Sequence, residues 1–482
     1  MSALAALLVA AALAGCGGTT YFAGRTLPPS GLTNRVLIAI QNPSASIRGS
    51  LQFVDAYYDT RSGYNGKPAS YSVAGYAGAL PITIQNMPEE QLGAVYSSGD
   101  GNYTTVNYAT EASNGSPATG LNGLSSSIFV TRNQSYTFAA SQASHVLTIL
   151  DHTNGGSFPL NLPGIYRVSV NPGGSVALAF VQDSNYAYYP RKLTTAQTLA
   201  YSGGPDTWPK AAVDCQPLNA PLWCLLQAQS PDSVDATGNY YGAPLVFDRP
   251  VKTVFSIDGG TAYVLNCGPE CGGSKASITP LPVAPVIFLT GQQSGTLPTN
   301  TALAGSTVAI PGGASNALVD SSTLYVVGQK PQQVQGKTLF AGNLTVVDYS
   351  KSPVSVSSSI PISDGTPGAI SRMLLADDNT LWIGMTGCTN GVRAATGQSY
   401  GCLTMVNTTS NTVTLIEPYI GDATGIAAVE GLHKIYTAEG GQVYIHSTVD
   451  GSSIDNQYVT VTGTAYDVAY MDGTTDSNNT VY

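Results

Sequence analysis

A closed, all-β architecture of repeated four-stranded sheets is what this sequence predicts, and three observations predict it. One unit recurs along the chain: an apolar strand, a turn rich in Asp, Gly or Asn, then a second strand carrying an aromatic residue. Helical periodicity is almost absent. The two ends of the chain carry complementary fragments of one such unit.

The clearest copies are Val168–Phe180 and Val254–Asn266, followed by Asn316–Val327, Met373–Gly384, Ala427–Thr437 and a weaker Phe129–Ala139. Third strands such as Gly342–Asp348, Cys402–Asn407 and Gln442–His446 follow, then fourth strands such as Val354–Ile362 and Thr412–Glu417. Four strands per unit with hairpin turns describe the blade of a β-propeller. Second strands near residues 37, 94, 138, 179, 264, 325, 382 and 436 give eight blades, with seven the alternative because the copy near 94 is weak. Ala465–Gly473 matches a first strand, whereas Arg35–Ile40 and Leu51–Asp55 match a second and third. Joining them in one blade closes the ring and removes a free sheet edge. Residues 34–473 thus form the propeller, 190–245 an insertion carrying Cys215, Cys224, Trp208 and Trp223, and 474–482 a tail.

These repeats resemble the YVTN/NHL-type propeller repeats, with Tyr263-Val-Leu-Asn266 and Tyr325-Val-Val-Gly328 nearest the name-giving motif. The resemblance implies the fold and leaves the function open, since propellers host binding proteins, scaffolds and enzymes.

Ala3–Ala14 is an apolar run of signal-peptide length that ends in Leu13-Ala14-Gly15-Cys16. It resembles the bacterial lipobox, which implies cleavage before Cys16, lipidation of its thiol and a tether over 17–33. Gly17, not Asp, follows the cysteine, which favours the outer membrane. Seven cysteines minus the lipidated one leave six in three neighbouring pairs, and an even count in an exported chain points to disulfides. The expected pairing is Cys215–Cys224, Cys267–Cys271 and Cys388–Cys402, among the 15 that sequence allows.

With 19 Lys+Arg against 29 Asp+Glu, the chain carries −10, which argues against a nucleic-acid partner. No metal motif, P-loop or dinucleotide unit occurs, so neither a metal nor a cofactor is expected. Gly397-Gln-Ser-Tyr-Gly401 fits GxSxG, yet it lies in a Gly-rich loop and leads into a strand where that motif needs a strand-to-helix elbow. The four histidines read as surface polar residues, and the 28 tyrosines as strand filling or as recognition surface.

In a propeller the first strand of each blade lines the central channel. Registered on their turns, Arg167, Thr253, Ser315, Arg372 and Asp467 share one position. Guanidiniums there would grip a carboxylate or other anion bidentately. The sequence therefore predicts a monomeric, lipid-anchored envelope propeller that binds a protein or glycan without turnover. The alternatives are an enzyme (lactonase-, lyase- or glycan-hydrolase-like) at the channel mouth, and a subunit of an envelope assembly machine.

Overall fold

The computed structural model describes residues 25–59, 70–114, 120–235, 238–283, 298–334, 336–363, 368–387, 402–416, 421–454, 459 and 461–474. Cys16, the lipobox, Cys388 and the GxSxG loop lie outside them.

The chain is an eight-bladed β-propeller. Each blade begins with an inner strand, and we number the blades from the one that closes the ring. Blade 1 pairs inner strand Thr464–Tyr470 with Arg35–Gln41, followed by Gly49–Asp55 and Tyr71–Ser72. The inner strands of blades 2 to 8 are Pro81–Met87, Ser127–Val130, Ile165–Val170, Pro250–Phe255, Asn316–Asp320, Ala369–Ala376 and Ala423–Val429. All eight expected second strands are present, beginning with Arg35–Gln41 and Leu92–Ser97. The weak copy near residue 94 is therefore a true blade.

Strand alternation explains the packing. One side of each sheet meets the preceding blade and the other meets the following one, so both are apolar. Core clusters accordingly straddle blade boundaries. Leu37, Phe53, Val95 and Tyr108 join blades 1 and 2; Phe138, Leu147, Trp223 and Leu225 join blades 3 and 4; Val36, Ile38, Tyr436 and Ile445 join blades 8 and 1.

The closing blade is pinned by charge as well as by its ladder. Arg35 donates from its backbone N–H (2.7 Å), Nε (3.1 Å) and Nη2 (2.6 Å) to Asp472, and from Nη1 to Glu111 (2.9 Å) and the Tyr108 carbonyl (2.6 Å). One buried guanidinium thus ties the first propeller strand to the end of the last and to blade 2.

The expected insertion 190–245 divides in two. Trp223–Gln227 pairs with Ala187–Lys192 as the fourth strand of blade 4, and Ala212–Gln216 adds a fifth outside it. What departs from the blade is a six-residue helix, Thr195–Ala200, capped by Thr194, and a short hairpin, Ser233–Val234 with Tyr240–Tyr241. Trp223 is blade core, its indole donating to Asp151 (3.3 Å). Cys215–Cys224 links the two outer strands, and Cys267–Cys271 closes a turn after the second strand of blade 5, as expected. Cys402 is also disulfide-bonded.

Candidate functional site: a charged ring between two channel cavities

Inner strands share a local feature that the sequence does not display. Six of them carry a β-bulge at the same level, after Pro81, Ile165, Pro250, Ile370, Ala423 and Ala465. Bulges re-aim the residue that follows. Those residues are Thr83, Arg167, Lys252, Arg372, Gly425 and Asp467, and the strand registers place Ser127 and Asn316 level with them in blades 3 and 6.

Arg167, Arg372 and Asp467 therefore stand on one ring. Thr253 and Ser315 do not: their ring positions belong to Lys252 and Asn316. The cause in blade 5 is a glycine. Both turns contain Gly-Gly, but the left-handed residue is the second in blade 4 (Gly174, φ 67°) and the first in blade 5 (Gly259, φ 70°). Aligning the two pairs by sequence slips the register by one residue. In blade 6, Ser315 immediately precedes the inner strand, its N–H donating to the carbonyl of Val327, the residue that pairs with Asn316.

The ring is electrically lopsided. Arg372 donates to Asp467 at 2.7 Å, both side chains buried, and Asp467 also accepts the Ile84 N–H at 2.7 Å. Arg372 reaches over blade 8 to do so. Gly425 permits it, since a Cβ there would sit 2.5 Å from Asp467 Oδ1. Burial pushes the Asp467 carboxyl up, while Arg372 and the backbone donors pull it back. Across the ring, Arg167 forms no ion pair with any described carboxylate; burial pulls its guanidinium down, opposed by Tyr166, whose ring lies 5.7 Å away. Lys252 is 3% exposed, and burial together with Arg167 and Arg372 holds its ammonium well below the usual lysine range.

A cavity opens at each end of this ring. The wider, of about 530 Å3, lies at the beginnings of the inner strands, with Arg167, Arg249, Glu270, Ser315 and Asn316 in its wall. The narrower, of about 150 Å3, lies at the turn end, walled by Met87, Phe129, Val168, Phe255, Lys252 and Thr253. Glu270 enters the wide cavity from the Cys267–Cys271 turn; burial pushes its carboxyl up, opposed by the Gln329 N–H (2.9 Å) and side-chain amide (3.1 Å). Sequence reasoning missed Lys252 and Glu270. The first was hidden by the glycine slip, and the second was visible as the acid between two closely spaced cysteines.

The histidines serve structure. His152 bonds Tyr103 (3.1 Å) and Thr137 (3.0 Å), and His433 pairs with Asp378 (2.8 Å) at the surface. His446 corrects the surface reading, for it is fully buried against Glu439 at 3.0 Å and stacks beside Trp382. Among the described residues no cluster of His, Cys, Asp or Glu could hold a metal, and no helix is long and apolar enough to cross a membrane.

No family model matches the chain, and no curated protein matches it. Solved structures do. A putative 6-phosphogluconolactonase from Bacteroides fragilis shares 8% identity over 91% of this chain and 97% of its own, with a TM-score of 0.46. The periplasmic gluconolactonase of Pseudomonas aeruginosa shares 11% over 91% and 98%, TM-score 0.45. Dihydro-heme d1 dehydrogenase NirN shares 10% over 92% and 75%, TM-score 0.47. At such identities they are companions in fold.

Proposed function

We propose that this propeller is a recognition protein of the bacterial envelope, held by a lipid on Cys16, whose wide channel mouth takes a carboxylate-bearing group of a glycan or protein partner without turning it over. One observation carries the reading: Arg167 lines a cavity of about 530 Å3 and forms no ion pair with a described carboxylate, although Asp183 and Glu270 share its wall. A chain of net charge −10 that keeps an uncompensated guanidinium on its axis is built to draw in an anion, because low-dielectric channel walls focus such a field. The cavity has the volume of a small-molecule pocket, roughly 300–1,000 Å3, and suits one or two acidic sugar units. Arg249, 3.9 Å from Asp183 in the same wall, supplies a second donor.

The test is calorimetric titration of the soluble domain with glucuronate and galacturonate oligomers. Binding that weakens with salt and is lost in Arg167→Ala is expected; binding unchanged by that substitution sinks the reading. Anchoring is tested separately, by metabolic lipid labelling of cells expressing the chain or Cys16→Ser.

Glu270 favours a second reading. A carboxyl pushed up by burial in the same cavity as Arg167 is shifted in the direction a general acid needs. Turnover of those oligomers that disappears in Glu270→Gln would replace recognition with catalysis.

A further inference from the structure

The narrow cavity offers different chemistry from the wide one. Its walls are largely apolar, with Met87, Phe129, Val168 and Phe255, and Ile257, 72% exposed, carries that lining out to the surface at the turn of blade 5. A small apolar molecule thus has a way in. The polar groups of the wall are committed, with one exception. Gln85 exchanges two hydrogen bonds with the Val130 backbone (2.6 and 2.8 Å), and Asn86 donates to the Tyr470 carbonyl and accepts from the Tyr108 hydroxyl. Ser127 exchanges bonds with the Val168 backbone, Ser169 accepts the Thr253 N–H, Ser256 donates to Asp258, and Arg132 pairs with Glu89. Lys252 has interactions of its own. The exception is Thr253: it is 3% exposed, and its hydroxyl oxygen is buried with no hydrogen-bond partner among the described residues. Buried polar groups are as a rule hydrogen-bonded, so a lone hydroxyl in an apolar wall marks the place of a ligand atom.

We infer that the narrow cavity is a binding site for a small phenol, whose hydroxyl exchanges a hydrogen bond with Thr253 Oγ1 while its ring packs on the apolar wall. The volume, about 150 Å3, matches a protein cavity of ~150 Å3 that accepts benzene. A hydroxyl suits Thr253 because each of the two groups can both donate and accept. An aromatic ring suits the wall because rings pack favourably on Phe129 and Phe255 and against the thioether of Met87. A pocket that is mostly apolar, with one polar group to fix orientation, is the usual form of a small-molecule site. Binding is reversible, and no covalent bond is made or broken. The site lies at the opposite end of the ring from the wide mouth and stands independently of the function proposed there.

The experiment titrates the intact chain with phenol and with toluene, which has the same shape without the hydroxyl. Saturable binding of both is expected. Thr253→Val keeps the shape of the side chain, so it should keep toluene binding and lower the preference for phenol relative to toluene at least about fivefold, the worth of one neutral hydrogen bond. Thr253→Ser should retain the wild-type preference. No saturable binding of phenol, or the same relative preference in Thr253→Val, overturns the inference; the second result would mean that water alone answers the hydroxyl or that phenol binds elsewhere. A further readout needs no variant to fold. Photolabelling of the wild-type chain with 4-azidophenol should mark residues 127–129, 168–170 or 252–257 and be blocked by excess phenol, whereas labelling confined to other segments, or indifferent to phenol, also overturns the inference. Glucuronate titration of the same sample reports on the wide mouth, so either reading can fail alone.

Discussion

Blades 7, 8 and 1 and blades 4 and 5 meet the axis with the same bulged strand, yet the two arcs treat charge in opposite ways. In the first arc Arg372 crosses Gly425 to reach Asp467, and the pair is sealed by a backbone N–H from blade 2. In the second, Arg167 and Lys252 lie within electrostatic reach of each other with no described acid paired to Arg167. A buried ion pair that spans three blades fixes where those blades sit. Arg167, with no described acid beside it, keeps a charge that the proposed function would offer to an outside anion. The same backbone device therefore holds a sealed ion pair on one side and, under the proposed function, a recognition group on the other.

The sharpest way to break this contrast is to remove one member from each arc. Asp467→Ala strands a buried guanidinium and is expected to cost about 3–5 kcal/mol in urea denaturation, whereas Arg167→Ala should change stability by less than ~1 kcal/mol. Equal losses would erase the distinction. Next in size is a control at the blade edge. Replacing Cys215 and Cys224 together by Ser opens a short loop and should cost about 2–3 kcal/mol while leaving glucuronate binding intact.

A pH titration sharpens the comparison further. The folded Lys252 has a depressed pKa, so between that value and its unfolded value the unfolded chain binds the extra proton. Stability should therefore rise with pH across this window, by about 1.4 kcal/mol per unit for this one group. The difference in unfolding free energy between wild type and Lys252→Met should carry that slope; a difference independent of pH would show that Lys252 is charged in the folded ring. The smallest effect belongs to Thr253→Val, which removes a buried, unpartnered hydroxyl and should stabilise the empty protein by about 1 kcal/mol.

Much of this architecture was legible in the sequence because it rests on local rules. Apolar strands, turns and aromatics repeat within each hairpin, so every second strand and the shared closing blade could be placed. The two short-range disulfides followed from cysteine spacing. The ring was legible only where turns had equal length. Whether Gly259 or Gly260 takes the left-handed conformation decides whether Lys252 or Thr253 faces the axis, and composition is silent on that choice. The fourth strand of blade 4 fell inside the expected insertion because a long excursion separates it from its partner, and nothing local marks Trp223 as blade core until Asp151 of the neighbouring blade is beside it.

The Arg35–Asp472 latch also sets a clock. Strand Arg35–Gln41 has its inner neighbour in Thr464–Tyr470, more than four hundred residues later on the ribosome. Until that last strand is synthesised, the edge of Arg35–Gln41 stands open and seven blades wait in an unclosed arc, a state inclined to pair with the wrong strand. A message cut short before Thr464 would thus leave seven blades made and the ring unshut. Ring closure therefore waits on a strand made long after the one it pairs with.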